Sequence, residues 1–444
     1  MCRFPIILNR LMSLLRKLFG APEPSAPPPD VRFGRFSDHY KTVWSHAALE
    51  RAEQCFAEGK FVQAVREFLD FLANEGEDNV RYHEEKGILH FRLYQGSRIL
   101  TGTADRQRIR AVARIVLAEG INTESLHRFV SDNYRLHHCR FAIDPENYLS
   151  LVFDAYSADT SPYILYRALR ETALLADRLD DLLWTEFGLS LPSEEDTRTD
   201  LTRRELRIRI NYLRREIEAI LFRARSSALA AEHPGAFSYV LLHLCYKLDY
   251  LTKPEGFVGQ QFDQINGLFF NRGQNSVRET NLRILELMEQ ILQRTDEQLR
   301  EEFYRVRFTF GVTDPISSDK VAAMIRSEMP RADWYRENGY PEVSFHIAGY
   351  LVGYILYHYA PPPDLRELLK LFFQITEADF YSQLGFTQDF SHAKGGLNRN
   401  NIRQALQRWR NRFPQQDFKN ADINRLDLSD IDQFSRTFMS LIAS

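Results

Sequence analysis

Between residues 88 and 156 the side chains alternate between apolar and polar, a period of two that suits half-buried β-strands. In residues 88–94, Leu89, Phe91 and Leu93 face one way and His90, Arg92 and Tyr94 the other. In residues 138–144, Cys139, Phe141 and Ile143 oppose His138, Arg140 and Ala142. From Tyr148 onward, Leu149, Leu151, Phe153 and Ala155 point inward. Asp144-Pro145-Glu146-Asn147 is turn chemistry and makes these last two runs a hairpin. Residues 98–103 read as a further strand. Residues 109–117 place Ile109, Ala111, Ala113, Ile115 and Leu117 on one face; their Ala and Arg also suit a helix, but Gly120 and Asn122 close the run and favour a strand.

Two helices belong to the same region. One spans residues 123–134, opened by Asn122 or Thr123 with Glu124 in its first turn and striped by Leu126, Phe129 and Val130. The other, over residues 161–184, carries Ile164, Leu165, Ala168, Leu169, Leu175, Leu179 and Leu183 at helical spacing.

The run Leu117-Ala118-Glu119-Gly120-Ile121-Asn122 leads through Phe129 and Asn133 to His138-Cys139-Arg140-Phe141-Ala142-Ile143-Asp144. It continues through Leu149-Ser150-Leu151-Val152-Phe153 into the helix ending Ala176-Asp177-Arg178-Leu179. In this order of strands, short helix, hairpin and long helix, about a quarter of the chain resembles the type III secretion chaperone-like superfamily, including its relatives known as sensory transduction regulators. The resemblance implies a protein-binding fold, often dimeric, without enzymatic activity. The long flanking regions depart from the compact chaperones.

The rest of the chain divides around this region. Residues 1–30 hold a basic amphipathic segment, with Leu8, Leu11, Met12, Leu15, Leu18 and Phe19 on one face and Arg10 and Lys17 opposite, followed by a Pro-rich spacer. Such a helix can rest on an anionic membrane surface, or pack on a partner, but its charges are too closely spaced for a bilayer span. Residues 31–78 read as a helical hairpin; Cys55-Phe56-Ala57-Glu58-Gly59-Lys60-Phe61-Val62-Gln63-Ala64 looks like a single tetratricopeptide unit. Residues 79–190 are the strand-containing unit. Residues 195–304 are helical, with Arg203, Arg204, Arg207, Arg209, Arg214, Arg215, Arg223 and Arg225 along one helix. Glu205, Glu216 and Glu218 are interleaved, which favours a solvated face beside a packed seam over a phosphate- or nucleic-acid-binding face. A second long helix is expected from the capping box at Ser276 to about Phe303. Residues 305–444 form further helices: 319–328, an apolar one over 344–359 with Gly349 and Gly353 four apart, one capped by Asp364, and two near 401–412 and 429–442.

The fold class expected is α+β and predominantly helical: a small antiparallel sheet with flanking helices, plus a large all-α C-terminal region. The net charge of -3 gives no global drive towards nucleic acid. Four dispersed cysteines fit free thiols in a reducing compartment. No HExxH, GxSxG or Walker pattern occurs. Asp177, Asp180 and Asp181 lack the second acidic turn of a magnesium-diphosphate site, and His137, His138 and Cys139 lack structural zinc spacing. No metal or cofactor is expected. The function expected is a cytoplasmic, bacterial adaptor or chaperone-like protein without catalysis. Its contact residues are His90, Arg92, Tyr94, His138, Arg140, Tyr148, Val152 and Tyr156, offered to another protein or to a second copy of the chain. The alternatives are an enzyme or ligand site in the helical half, and a scaffold at the inner membrane surface using residues 6–19.

Overall fold

The chain folds as α+β, predominantly helical, with one six-stranded antiparallel sheet followed by a large helical body. A computed structural model describes residues 29–443 apart from 35–39, 75–77, 188–196, 272, 274, 307, 309, 312, 392–395 and 415–422; for residues 180–187 it describes the backbone alone. The expected membrane-contact residues Leu8, Leu11, Met12, Leu15, Leu18 and Phe19 lie outside the described residues, as do most of the Pro-rich spacer and the His392 loop. Among the described residues no helix is long and apolar enough to cross a membrane.

The hairpin is α1 (Val43–Ala57) and α2 (Phe61–Leu72). The Thr42 hydroxyl caps α1 by accepting from Ser45 N–H, and Gly59, at φ +70°, makes the turn. Four strands follow: β1 (Val80–Glu85), β2 (Ile88–Gln95), β3 (Arg98–Ala104) and β4 (Arg108–Leu117). Then come α3 (Thr123–Asp132), β5 (Arg140–Ile143), β6 (Tyr148–Tyr156) and α4 (Pro162–Phe187). The sheet order is β1-β2-β3-β4-β6-β5. Residues 109–117 are therefore a strand, as their closing Gly and Asn indicated. The alternation holds for Leu89, Phe91, Leu93, Ile109, Ala111, Leu149, Leu151 and Phe153, buried on one face under α2, α3 and α4. It fails at Leu117, which a bulge after Arg114 turns outward in exchange for Val116, and at Ile143, which is exposed at the end of β5.

The helical body comprises β7 (Arg198–Asp200), α5 (Arg203–Ser226), α6 (Ala228–Glu232), α7 (Pro234–Thr252), α8 (Gly256–Phe270), α9 (Val277–Leu292), α10 (Asp296–Glu301), β8 (Tyr304–Val306) and β9 (Asp314–Pro315). It continues with α11 (Ser318–Glu337), α12 (Pro341–His358), β10 (Tyr359–Ala360), α13 (Pro363–Thr376), α14 (Ala378–Gln383), α15 (Arg399–Arg412) and α16 (Ile431–Ala443). One hydrophobic cluster runs from Ile210 to Ile442, so the expected division near residue 304 is not a division of the core. Residues 31–34, assigned by sequence to the hairpin, pack on this body instead: Phe33 lies among Tyr250, Tyr381 and Phe386.

Three helix boundaries differ from the sequence pattern. The helix opened by Ser276 stops at Leu292 because a second capping box, Thr295 with Gln298, starts α10. α11 runs past exposed Pro330 to Glu337, since buried Ala332 keeps the next turn on the core. Pro362, not Asp364, caps α13; Asp364 sits in its first turn and its carbonyl accepts from Trp409 Nε1–H at 2.8 Å.

α7 is buried almost all round, from Ala236 to Thr252, and α12 crosses it at the two glycines. A Cβ on Gly349 would meet the His243 ring, and one on Gly353 would lie 2.6 Å from Tyr246 Cβ. Beside this crossing His243 Nδ1 and His346 Nδ1 are 2.9 Å apart, sharing one proton between two neutral rings. Deeper still, Lys247 Nζ pairs with Glu216 at 2.8 Å and Glu377 at 3.1 Å.

Two expectations follow. Gly349→Ala should cost about 1–3 kcal/mol by overpacking, whereas Gly267→Ala in α8, where an added Cβ meets nothing within 4 Å, should be neutral or stabilising; thermal unfolding of both variants checks the contrast. The second concerns pH. Burial, then His346 and Lys247, drives His243 well below the ordinary imidazole value, and burial, then Arg223 and Lys247, brings His346 to about 3. Below about pH 6.5 the unfolded chain therefore binds protons that the folded chain refuses, so stability is full above that value and is lost as pH falls from about 6.5 towards 3. Urea midpoints between about pH 7 and 5, above the carboxylate range, should fall by the equivalent of about 2 kcal/mol per ring; a flat profile would mean that both rings also protonate in the folded chain.

Candidate interaction surface on the sheet

The helices cover one face of the sheet and leave the other to solvent, an arrangement antiparallel sheets allow. Register decides which side chains share that open face. Arg81, Arg92, Thr101, Val112, Val152 and Arg140 follow one another across all six strands. A second row runs His83, His90, Thr103, Arg110 and Asp154. The two rows line a concavity of about 610 Å³ over β1 to β4.

The expected contact residues fare unequally. His90, Arg92, Val152 and Arg140 are brought together on this face. His90 stacks on His83 with ring centroids 5.1 Å apart and planes 11° apart. Arg92 and Arg140 are exposed, and Arg140 Nη1 donates to the carbonyls of Leu136 (3.0 Å) and Cys139 (2.5 Å). Tyr156 is 63% exposed at the end of β6, with the Arg108 guanidinium 5.6 Å from its ring centre. Tyr148 is half-buried beneath Arg114, at 4.8 Å. His138 lies before β5 rather than in it, because the strand begins at Arg140.

Tyr94 is a correction. It has the parity of the open face but is only 1% exposed. Phe308, from the segment after β8, packs tilted against it with ring centroids 5.1 Å apart, and Arg81 lies over its ring at 5.0 Å. Alternation along a strand assigns a face; it cannot announce that a distant segment covers one end of it. Six contributors escaped the sequence reading: Arg81, His83, Thr101, Thr103, Arg110 and Val112. Arg110 and Val112 were legible as the outward partners of Ile109 and Ala111, and Val80-Arg81-Tyr82-His83 carries its own alternation.

Several arginines of this face are already paired: Arg81 takes Asp78 at 2.6 Å. Arg108 takes Asp154 at 2.9 Å, and Arg114 takes Asp144 and Glu146, each at 2.7 Å. Arg110 stands beside Asp154 in register but forms no ion pair among the described residues. Arg110 and Arg140 are left without an acid partner among the described residues. The chemistry of the face is to attract and orient anionic groups. Among the described residues no three His, Cys, Asp or Glu side chains gather to hold a metal. Asp177, weighed by sequence as a metal ligand, instead accepts from Ser97 N–H at 2.9 Å. No protein-family model and no curated protein matches the chain.

The segment leading into β5 hangs on Glu171 of α4. Its carboxylate accepts from the backbone N–H groups of His137, His138 and Cys139, at 3.0, 2.7 and 3.2 Å. Burial opposes its charge, yet the three donors prevail and hold its pKa below the usual range. Burial, then the Glu171 charge, pushes the Cys139 thiol up to about 12. Glu171→Ala should cost about 1–3 kcal/mol by stranding these donors. It should also raise the rate at which a thiol reagent labels Cys139 relative to buried Cys245; unchanged labelling and melting would show that the segment is held by other contacts.

Proposed function

We propose that this protein is a non-enzymatic adaptor that holds an acidic segment of a partner polypeptide against the open face of its sheet. The observation that carries the reading is the array of Arg81, His83, His90, Arg92 and Arg110 around one concavity with Val112 in its lining, continued across the sheet by Val152 and Arg140. Arginine suits this role, since its planar fork pairs with carboxylates in two places at once. The resemblance of residues 117–179 to the type III secretion chaperone-like superfamily points the same way, towards protein binding without catalysis. A second copy of the chain is a poor occupant, because face-to-face pairing would bring like charges together. Buried free thiols at Cys55, Cys139 and Cys245 suit a cytoplasmic setting.

Arg110→Glu tests the reading, since this side chain is exposed on the face, forms no ion pair among the described residues, and its loss should leave the melting temperature unchanged. Tagged wild-type and variant chains are captured from native cells and their companions compared by mass spectrometry. An acidic protein held by the wild type in stoichiometric amount, and bound at least about tenfold more weakly by the variant, is the expected result. The same companions on both chains, or none on either, would refute the adaptor.

A further inference from the structure

Most of the arginines along helix α5 are engaged by named partners. Arg209 pairs with Glu205 at 2.8 Å, Arg214 with Asp296 at 3.0 Å, Arg215 with Glu216 at 2.9 Å, Arg223 with Glu342 at 3.5 Å and Arg225 with Glu289 at 2.7 Å. Arg204 donates to the Gln383 carbonyl at 2.7 Å. These contacts explain six of the eight arginines as structural. Arg203 and Arg207 remain, one helical turn apart and both exposed, with no side-chain partner among the described residues.

A third guanidinium joins them from another helix. Arg300, near the end of α10, is also exposed and likewise has no partner among the described residues. Arg203, Arg207 and Arg300 line one concavity of about 450 Å³, floored by Leu206 and Ile210 and flanked by Asn211. Its single acid, Asp296, is engaged by Arg214. A second concavity, of about 520 Å³, adjoins the same Arg203 and Arg207 from the side of Gln383. The acid of the first turn of α5, Glu205, is also unavailable: it is buried and bound to Arg209 and to Arg305, each at 2.8 Å. Three cations from two helices thus converge on one hollow whose only acid among the described residues is taken.

Like charges at i and i+4 repel, so the Arg203–Arg207 spacing does not stabilise the helix. What would satisfy all three is an anion with several acceptor oxygens. Phosphate matches guanidinium geometry in pairs, and linked phosphates extend that match along successive turns. The size of the hollow is that of a small-molecule site rather than of a membrane or a protein epitope. Leu206 and Ile210 give such a ligand an apolar floor, and Asn211 a polar edge.

We propose that the hollow between α5 and α10 binds a small soluble ligand carrying two or more linked phosphate groups, held by Arg203, Arg207 and Arg300. The site lies outside the sheet and stands independently of the adaptor reading.

The test is calorimetric and thermal titration of the full chain with inorganic diphosphate and with a nucleoside diphosphate, at low and high salt. Saturable binding is expected, with a melting temperature that rises with ligand concentration and an affinity that falls with salt. Arg203→Glu with Arg207→Glu should abolish both signals, and Arg300→Ala should weaken binding about tenfold or more. Neither substitution removes a structural contact, so the ligand-free melting temperature should stay at the wild-type value. As a control, Arg92→Glu on the sheet should leave diphosphate binding untouched. Binding that survives the α5 double substitution, or no binding of either diphosphate by the wild type, would overturn the proposal.

Discussion

The open face is aimed by one carboxylate. Asp177 of α4 receives Ser97 N–H at 2.9 Å, the Ser97 hydroxyl at 3.3 Å and the Gln95 side-chain amide at 3.2 Å, and so clamps the β2–β3 turn. Gly96 makes this contact possible: its φ is +55°, and a Cβ there would run into the Asp177 carboxylate. The same turn is the seam between sheet and helical body. Gly96 N–H donates to the Phe308 carbonyl at 3.1 Å, Gln95 accepts from Phe310 N–H, and the Thr197 hydroxyl donates to the Ser97 carbonyl at 3.1 Å. Buried bonds of this kind contribute about 1 kcal/mol each and cost more if left unmade. The ion pairs Arg170–Asp314 and Arg178–Asp263, which also cross the seam, are partly exposed and contribute about 1 kcal/mol at most. The polar part of the seam is therefore held by the turn, beside the packing of α4 on α8 and of Phe310 in the core under the sheet. That Phe308 also lies on Tyr94 follows from the same geometry, since the segment bonded to Gly96 is delivered onto the end of the open face.

The helical body solves a different problem, that of burying ions at the centre of a large core. Lys247 is buried on α7, and burial alone would lower its pKa; Glu377 and Glu216 more than offset this and hold it above the usual value. Tyr212 then donates to the second oxygen of Glu377 at 2.7 Å. A buried pair of this kind adds little net stability, but losing one member strands the others, so it fixes the mutual placement of α5, α7 and the start of α14. Arg209 does the same for the N-terminal strap. At 2% exposure it is no part of a solvated arginine face: its two terminal nitrogens donate to the carbonyls of Thr252 (2.6 Å) and Arg32 (2.9 Å).

What was legible in the sequence and what was not follows from the range of the forces involved. Period-two alternation placed β2, β4 and β6 and named their buried faces up to the bulge in β4, because burial acts residue by residue. The capping box at Ser276 and the Gly349/Gly353 pair could be read because each requires a particular residue at a particular step. Tyr94 and Arg209 could not be read, since both are buried by segments far away in sequence: Phe308 in one case, the strap at Arg32 in the other. Arg110 was passed over for a different reason. Its alternation was visible, but its role depends on Asp154 being occupied by Arg108, and that depends on strand register.

The same distinction separates structural arginines from available ones. The chain as a whole carries a net charge of -3, so composition gives no hint of a cationic surface. Pairing is what creates one. Along α5 the acids of α9, α10 and α12 neutralise the later arginines and leave the first two turns positive. Across the sheet the acids take Arg81, Arg108 and Arg114 and leave Arg110 unpaired among the described residues. In both places the positive field is set by which acids are already spent rather than by how many arginines are present. An approaching anion would meet that local field long before the overall charge of the molecule mattered, because salt screens distant charges within about 10 Å.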